Sequence, residues 1–464
     1  FTNKILYDRI TLLQIKNKED IQMSKTLIAK GTVITQDSAG IIEDGAVLIS
    51  GDLIEKVGHT KDLISEEYDY FIDATDMLIM PGMVNCHTHL YSALARGISM
   101  KGAPPENFVQ ILEKLWWKLD KVLTDEDVYY SALVGVTDCI KAGTTTILDH
   151  HASPCAIPGS LDLMAKAMKR AGLRGSLCYE VSDRDGQEKA IEGIEENVRF
   201  AEKIKGDKLL RSHFGLHAAF TLSDETMKKC KKASEGLDIG FHIHVAEDKA
   251  DQDYSLEKYG ERVVERLERL GILGSKTIAA HCIHIIEEEM EILKNTGTIV
   301  VHNPQSNMNN AVGTAQILKL FEKGIMLGLG SDGMTGNMFN EIRAGNLIHK
   351  IVNHKSTVAY VEIPQMVLHN NPAIVGRFFP HKTGKLTKDA YADVILVKYT
   401  TPTPLTVNNF WGHLLFGISD AHVDTTIVGG KVLMRNGVLT TLDEKSIREH
   451  SVKLAAKLWE RFAV

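Results

Sequence analysis

Short runs rich in Val, Ile, Leu and Thr appear from residue 26: TLIAKGTVIT, GAVLISGDLIEKVG and YFIDATDMLIM, punctuated by Ser50-Gly51-Asp52 and Gly58. The same texture returns near the end in YADVILVKY and TTIVGGKVLMRNG, where Gly429-Gly430 predicts a tight hairpin. Two β-rich pieces flanking a long middle predict one small sheet domain divided by an insertion. The last apolar pattern, EKSIREHSVKLAAKLWERF, has helical spacing.

The middle repeats a simple unit. Apolar β-type runs that end in polar residues occur at LIMPGMVNCHTH, TTTILDHH, LRGSLCYEVS, LRSHFGLHA, DIGFHIHVAE, KTIAAHCIH, TIVVHNPQSN and IMLGLGSDG, with helix-like stretches between them. One of these, TDEDVYYSALVGVTDCIKAG, has Thr124 as its N-cap and Gly143 as its stop. Eight strand–helix units predict a (β/α)8 TIM barrel. The alternative, a doubly wound sheet, lacks a Gly-x-Gly-x-x-Gly turn after the first strand. The expected α/β architecture is a barrel over 81–384, inserted into a small β-sandwich domain formed from 23–80 and 385–464. That small domain would carry the C-terminal helix. Residues 1–22 read as an N-terminal extension, because MSKTLIAKGTVITQ resembles a start followed at once by a strand.

Composition narrows the function classes. The net charge is −7 and no basic block stands out, which argues against a nucleic-acid partner. Six cysteines lie far apart with no Cys-x-x-Cys pair, as expected for free thiols in a reducing cytoplasm. No apolar run approaches the ~18 residues of a membrane span.

Chemistry concentrates at the ends of the barrel strands. His87 and His89 stand one residue apart, so an extended backbone projects them to one side. Such a pair either shares a metal or makes ordinary hydrogen bonds. Further along, Asp149-His150-His151, His217, His242, His244, Glu247, His281, His284, His302, Asn303 and Asp332 occupy equivalent positions. Histidine is costly to bury unpaired, and a ring of them at the mouth where barrels carry their active sites points to a metal centre.

The motifs PGMVNCHTHL, HIHVAE, AHCIH and GLGSDG together resemble the amidohydrolase superfamily, in its deaminase and chlorohydrolase-like branch. Within that branch, YSALARGISMKGAPPENFVQILEKLWWKLDK and LDHHASP resemble the SsnA-type aminohydrolases. The resemblance implies His87, His89, His244 and Asp332 as ligands of one divalent metal. It implies Glu247 as a proton shuttle, His281 as a hydrogen-bond partner of the attacking oxygen, and His217 as a substrate-facing residue. The bridging lysine of two-metal members has no counterpart in LRSHFGLHA, which favours a single ion. Zinc suits an imidazole-rich set, and Fe(II) or Mn(II) fit it too.

The implied activity is hydrolysis of a non-peptide C–N bond: metal-activated water deaminates an aminated N-heterocycle such as a purine or pterin. The alternatives are a cyclic amidase or ring chlorohydrolase on the same scaffold, or a non-catalytic metal-binding protein. Relatives of this kind are commonly dimers or larger homo-oligomers.

Further residues are candidates for the substrate side of the site. Trp117 either stacks on a planar ring or packs as part of an amphipathic helix with Leu112, Leu115 and Trp116. Asp120 would contact a polar substrate edge. Arg96 either recognises a substrate carbonyl or forms a surface salt bridge. Of the adjacent His150 and His151 only one can point inward, and the expectation falls on His151, with His302 structural.

Overall fold

A computed structural model describes residues 24–463; the predicted extension, residues 1–22, lies outside the described residues. Strands β1 (Lys25–Ile34), β2 (Ile41–Ser50), β3 (Leu53–His59), β4 (Tyr70–Asp73) and β5 (Met77–Pro81) come first. The parallel series follows: β6 (Met83–Thr88), β7 (Thr144–Asp149), β8 (Arg174–Leu177), β9 (Leu210–Ser212), β10 (Phe214–Ala218), β11 (Phe241–Val245), β12 (Ile278–His281), β13 (Ile299–His302) and β14 (Leu327–Leu329). Strands β15 (Val394–Lys398), β16 (His422–Val428), β17 (Lys431–Arg435) and β18 (Val438–Leu439) complete the chain.

The outer strands pair in the order β18-β17-β16-β15-β5-β1-β2-β3, with β4 beside β1. The join between the two halves of the chain is antiparallel pairing of β5 with β15, from Pro81↔Val394 to Met77↔Lys398. Alternation along β1 sends Leu27 and Ala29 into one apolar cluster and Ile28 into another. The second cluster is shared: Ile28, Val33, Val47 and Ile54 pack with Val394, Leu396 and Ile427. The small unit expected as a sandwich is thus built from one continuous sheet that both chain segments share. Gly429 and Gly430 both have positive φ, 51° and 70°, and form the two-residue turn between β16 and β17.

The barrel strands run parallel in two arcs, β6-β7-β8-β9 and β10-β11-β12-β13-β14. The fourth strand is interrupted at His213, between β9 and β10. Single bridges, Val181 with Leu216 and Thr88 with Asp332, connect the arcs. At the closing seam the buried Asn371 side chain donates to Val84 O (2.7 Å) and Leu329 O (2.8 Å) and accepts from Leu329 N (2.8 Å). Val84 and Leu148 from the first two strands pack with Ile278 and Val301 from the sixth and seventh, which only an interior position allows. Ile374, Val375 and Phe379 join that cluster.

The helix Asp125–Lys141 starts as expected: the Thr124 hydroxyl accepts from Asp127 N, and Asp127 Oδ2 accepts from Thr124 N at 2.7 Å. It ends before Gly143, whose φ is +76°. The last helix, Glu444–Phe462, lies against this one; Trp459 Nε1 donates to Leu94 O (2.9 Å) and Arg461 Nε to Val122 O (3.0 Å). Barrel and sheet are tied by a buried ion pair, Arg174 with Asp393 (3.0 Å), whose guanidinium stacks 3.6 Å over Tyr391. Among the described residues no helix is long and apolar enough to cross a membrane.

Candidate active site

The C-terminal ends of β11, β12 and β14 share a backbone peculiarity. Ala246, His281 and Asp332 have φ of +45°, +73° and +54°, a region costly for residues with a Cβ. Each lies where a strand must turn a side chain or its neighbour into the mouth. Gly330 answers a different demand: a Cβ there would lie 2.5 Å from Asn303 Oδ1 and 2.8 Å from His87 Cβ, so only glycine lets the eighth strand approach the first.

Four predicted side chains converge. His87, His89, His244 and Asp332 offer ligand atoms that all lie within 4.8 Å of one another. Asp332 Oδ1 is 3.5 Å from His87 Nε2 and 2.9 Å from His89 Nε2, and His89 Nε2 is 3.2 Å from His244 Nε2. A tetrahedral ion bound at ~2.0–2.2 Å needs ligand atoms roughly 3.3 Å apart, so the spacing fits. The other ring nitrogens are committed. His89 Nδ1 donates to His150 O (2.6 Å), His244 Nδ1 to His217 O (2.7 Å), and His87 Nδ1 meets His242 Nε2 (2.8 Å). Such outer bonds fix ring orientation and turn the Nε2 lone pairs of His89 and His244 toward the centre. His87 Nε2 is buried without a hydrogen-bond partner, an orphan that a cation would satisfy.

Electrostatics agree with two of the three rings; at His89 burial is outweighed by the Asp332 carboxylate, which raises the ring to about 9, so a cation binding here displaces its proton. Burial pushes His87 down to about 3 and His244 well below the usual range, so both present neutral rings. Asp332 is held well below the ordinary carboxylate range: the His87 and His89 rings beside it outweigh a burial that would raise it. Its Oδ2 also accepts from the Ser306 hydroxyl.

Beside this cluster, Glu247 Oε2 lies 3.5 Å from His281 Nε2, which is 3.9 Å from Asp332 Oδ2. Burial, reinforced by the Asp332 charge, pushes the Glu247 carboxyl well above its ordinary value, favouring the protonated form. His281, pushed down to about 4 by burial, is neutral. The Asn307 amide donates to His281 Nδ1 at 2.8 Å, which leaves the ring proton on Nε2, facing Glu247 and Asp332.

A cavity of about 390 Å³ opens above these groups, lined by His89, His244, Glu247 and Asp332 at its base. Trp116, Trp117, Asp120, Glu180, His217 and Phe220 also line it. Asp120 pairs with Arg184 Nη2 at 3.1 Å, and burial pushes its carboxyl up to about 7 against that pairing. Glu180 is held down at about 2: burial alone would raise it, but His217, His150 and Arg184 outweigh that.

The structure corrects one expectation and refines others. His151 turns away from the cavity, its Nε2 2.9 Å from Ser153 Oγ. His150 points inward instead, 4.7 Å from the His244 ring, with Nε2 donating to Leu216 O and His242 O. Strand alternation explains it: Leu148 faces the barrel interior, so His150, two residues on, does too. Arg96 reaches the cavity mouth, but its guanidinium is 2.6 Å from Asp138 and more than half exposed. His302 pairs with His349 (3.0 Å), as a structural residue would.

Sequence reasoning passed over Glu180, Arg184, Ser306 and Asn307. The strand-end rule reaches Glu180, the polar residue closing LCYEVS, whereas the other three sit on loops and a short helix where no periodicity points inward.

Fold and site define the class, a (β/α)8 barrel of the hydrolase type with a cluster of potential metal ligands at the ends of the first, fifth and eighth strands. The description of the Amidohydrolase family matches residues 78–433, and the chain belongs to that family. It is 34% identical over 448 residues to a 5'-deoxyadenosine deaminase of Methanosarcina mazei, covering 95% of this chain and 99% of that one. A 5-methylthioadenosine/S-adenosylhomocysteine deaminase of Desulforudis audaxviator is 31% identical over 437 residues, 93% of this chain and 96% of that one. Among solved structures, an adenosine deaminase of Xanthomonas campestris with bound zinc superposes with a TM-score of 0.82 at 23% identity, covering 93% and 98% of the two chains.

Proposed function

We propose that this protein is a metal-dependent aminohydrolase that removes ammonia from an aminated N-heterocycle, with purine nucleosides and bases the first substrates to test. The observation that carries the reading is Glu247, partly buried beside His281 and Asp332 at the base of the cavity, with its carboxyl pushed toward the protonated form. Relatives named as adenosine-type deaminases support it.

His87, His89, His244 and Asp332 would hold a divalent ion, zinc first and Fe(II) or Mn(II) as alternatives, which would lower the pKa of a water toward about 7. Asp332 takes that water's proton as its oxygen adds to the carbon bearing the amine. Glu247 gives its proton to the adjacent ring nitrogen, so no negative charge builds there. His281 Nε2–H holds the attacking oxygen. Asp332 then passes its proton to the amine, the C–N bond breaks, ammonia leaves, and the proton of the new hydroxyl returns to Glu247 as the carbonyl forms. Proton transfers of this kind contribute typically ~10²–10⁴-fold each.

The six cysteines are free, five of them buried, which supports a cytoplasmic setting. The SsnA-type stretch over residues 91–121 supplies much of the cavity wall, including Trp116, Trp117 and Asp120, so substrate choice is read there. The test is ammonia release by metal-loaded protein from adenosine, 5'-deoxyadenosine, methylthioadenosine, S-adenosylhomocysteine, guanine and aminopterins. Glu247→Gln should abolish turnover while keeping the metal. No ammonia from any of them, or a product that gains water without losing ammonia, overturns the reading.

A further inference from the structure

Glu247 has to deliver a proton to the substrate ring, yet its own side chain makes only long contacts. Its carboxyl meets Asn310 Nδ2 at 3.4 Å and His281 Nε2 at 3.5 Å. The backbone that carries it therefore sets its place. The preceding residue, Ala246, has a φ of +45°, in the left-handed region that a residue with a Cβ rarely occupies. Both peptide groups around Ala246 are engaged. Val245 O accepts from Cys282 N (2.9 Å), and Ala246 O accepts from Ile283 N (3.1 Å) and His284 N (3.0 Å). Ala246 N–H is taken by a side chain: it donates to Asp251 Oδ2 at 2.9 Å.

Asp251 lies in the first turn of the helix Lys249–Tyr259 and is 3% exposed. Its other oxygen, Oδ1, accepts from Phe220 N, also at 2.9 Å. Phe220 follows the fourth barrel strand and lines the cavity. That loop has a separate hold. The buried Arg266 donates to Ala219 O (2.8 Å) and Leu222 O (2.7 Å), and its guanidinium stacks 3.6 Å over the Tyr259 ring. The loop is thus the anchor, Asp251 the arm, and Ala246 the residue kept in a strained conformation.

We propose that Asp251 is a positioning residue for the deamination: by holding Ala246 left-handed it aims Glu247 at the substrate ring, and it fixes the distance of that carboxyl from the cavity wall at Phe220. The inference rests on the deaminase reading. Both oxygens of Asp251 serve backbone N–H groups, so it acts through Glu247 rather than on the substrate. His244, two residues before Ala246, does not depend on this bond, because its ring is fixed by its own donation to His217 O (2.7 Å).

In metal-loaded protein, kcat and KM for ammonia release would be measured with whichever of the substrates above turns over fastest. Asp251→Asn leaves one side-chain acceptor for two N–H groups. It should lower kcat ~100-fold, with KM within ~3-fold and metal content unchanged, because a displaced proton donor fails first in the transition state. Adding Ala246→Gly, for which the left-handed conformation is unstrained, should recover ~10-fold of that loss. A merely structural role would lower the thermal midpoint, recorded for each variant, without this recovery in kcat. Should Asp251→Asn fail to fold, Asp251→Ser takes its place with the same expectations, since the space it opens admits a water.

Hydrogen exchange followed by mass spectrometry reads the hold on Glu247 without turnover. Asp251→Asn should speed exchange over residues 245–248 by ~10-fold or more and leave β13 unchanged. The inference is overturned by a kcat within ~3-fold of the unsubstituted protein, by a loss carried by KM or by departure of the metal, by a kcat that Ala246→Gly does not recover, or by unchanged exchange. No ammonia from the unsubstituted protein sinks the deaminase reading, and the exchange alone then decides whether Asp251 holds Glu247. Ammonia together with an indifferent Asp251→Asn sinks this inference alone.

Discussion

Asn307 donates its side-chain amide to Nδ1 of His281 at 2.8 Å, with the Asn303 amide a longer second donor at 3.4 Å, so the ring proton sits on Nε2. Replacing Asn307 with Asp reverses the polarity: an acceptor draws the proton to Nδ1 and turns Nε2 into a lone pair facing two carboxylates. We expect Asn307→Asp to lower kcat by ~10²–10³-fold with metal content unchanged. Nitrogen NMR of His281 reads the tautomer directly. An unchanged kcat would remove His281 from the reaction.

The four-ligand cluster predicts metal-dependent stability. Because His87 Nε2 has no other partner, removing the ion should lower the thermal midpoint. At a metal concentration ~100-fold above its dissociation constant the stabilisation is about 3 kcal/mol. His244→Ala and Asp332→Asn should each remove the bound metal, measured by elemental analysis, and abolish the metal-induced shift. Retention of stoichiometric metal by both variants would refute the ligand set.

Stability should also depend on pH through Glu341, which lies away from the cavity and accepts hydrogen bonds from Gln305 N (3.2 Å) and Nε2 (2.9 Å). Burial pushes its carboxyl up to about 8 from an ordinary 4.5. Below the lower value both folded and unfolded chains hold the proton. Between the two values the folded chain holds one more, so stability falls as pH rises across that window, by at most about 1.4 kcal/mol per unit. Glu341→Gln should flatten the decline of the thermal midpoint between about pH 5 and about pH 8. An identical decline in the variant would locate the dependence elsewhere.

The barrel seam rests on a side chain. Asn371 makes three hydrogen bonds at 2.7–2.8 Å to backbone groups of Val84 and Leu329. At about 1 kcal/mol each, plus the cost of stranded backbone groups, Asn371→Leu should destabilise the protein by roughly 3–5 kcal/mol. Urea unfolding measures this, and a loss under about 1 kcal/mol would mean that the seam is held elsewhere.

Much of the site was legible because a β-strand has only two sides. His87 and His89, and His242 and His244, stand two residues apart, so alternation puts each pair on one face. The same rule failed at His150 and His151, where adjacency says that one points inward but not which. The answer required knowing that Leu148 packs inside the barrel. Alternation also cannot find Arg184, Ser306 or Asn307, which reach the site from loops and a short helix.

The sequence by itself determined which elements form and what chemistry their ends carry: eight β-type runs, a split small sheet, the Thr124 cap, the Gly429-Gly430 turn, and histidines with acids at the strand ends. These follow from local patterns, in which a residue's neighbours lie within a few positions along the chain. Only the tertiary structure decided that Asp332 meets His89 at 2.9 Å, that Arg184 bridges Asp120 and Glu180, and that Asn371 closes the barrel. Those contacts join groups distant along the chain, and their positions depend on how every strand and helix between them packs.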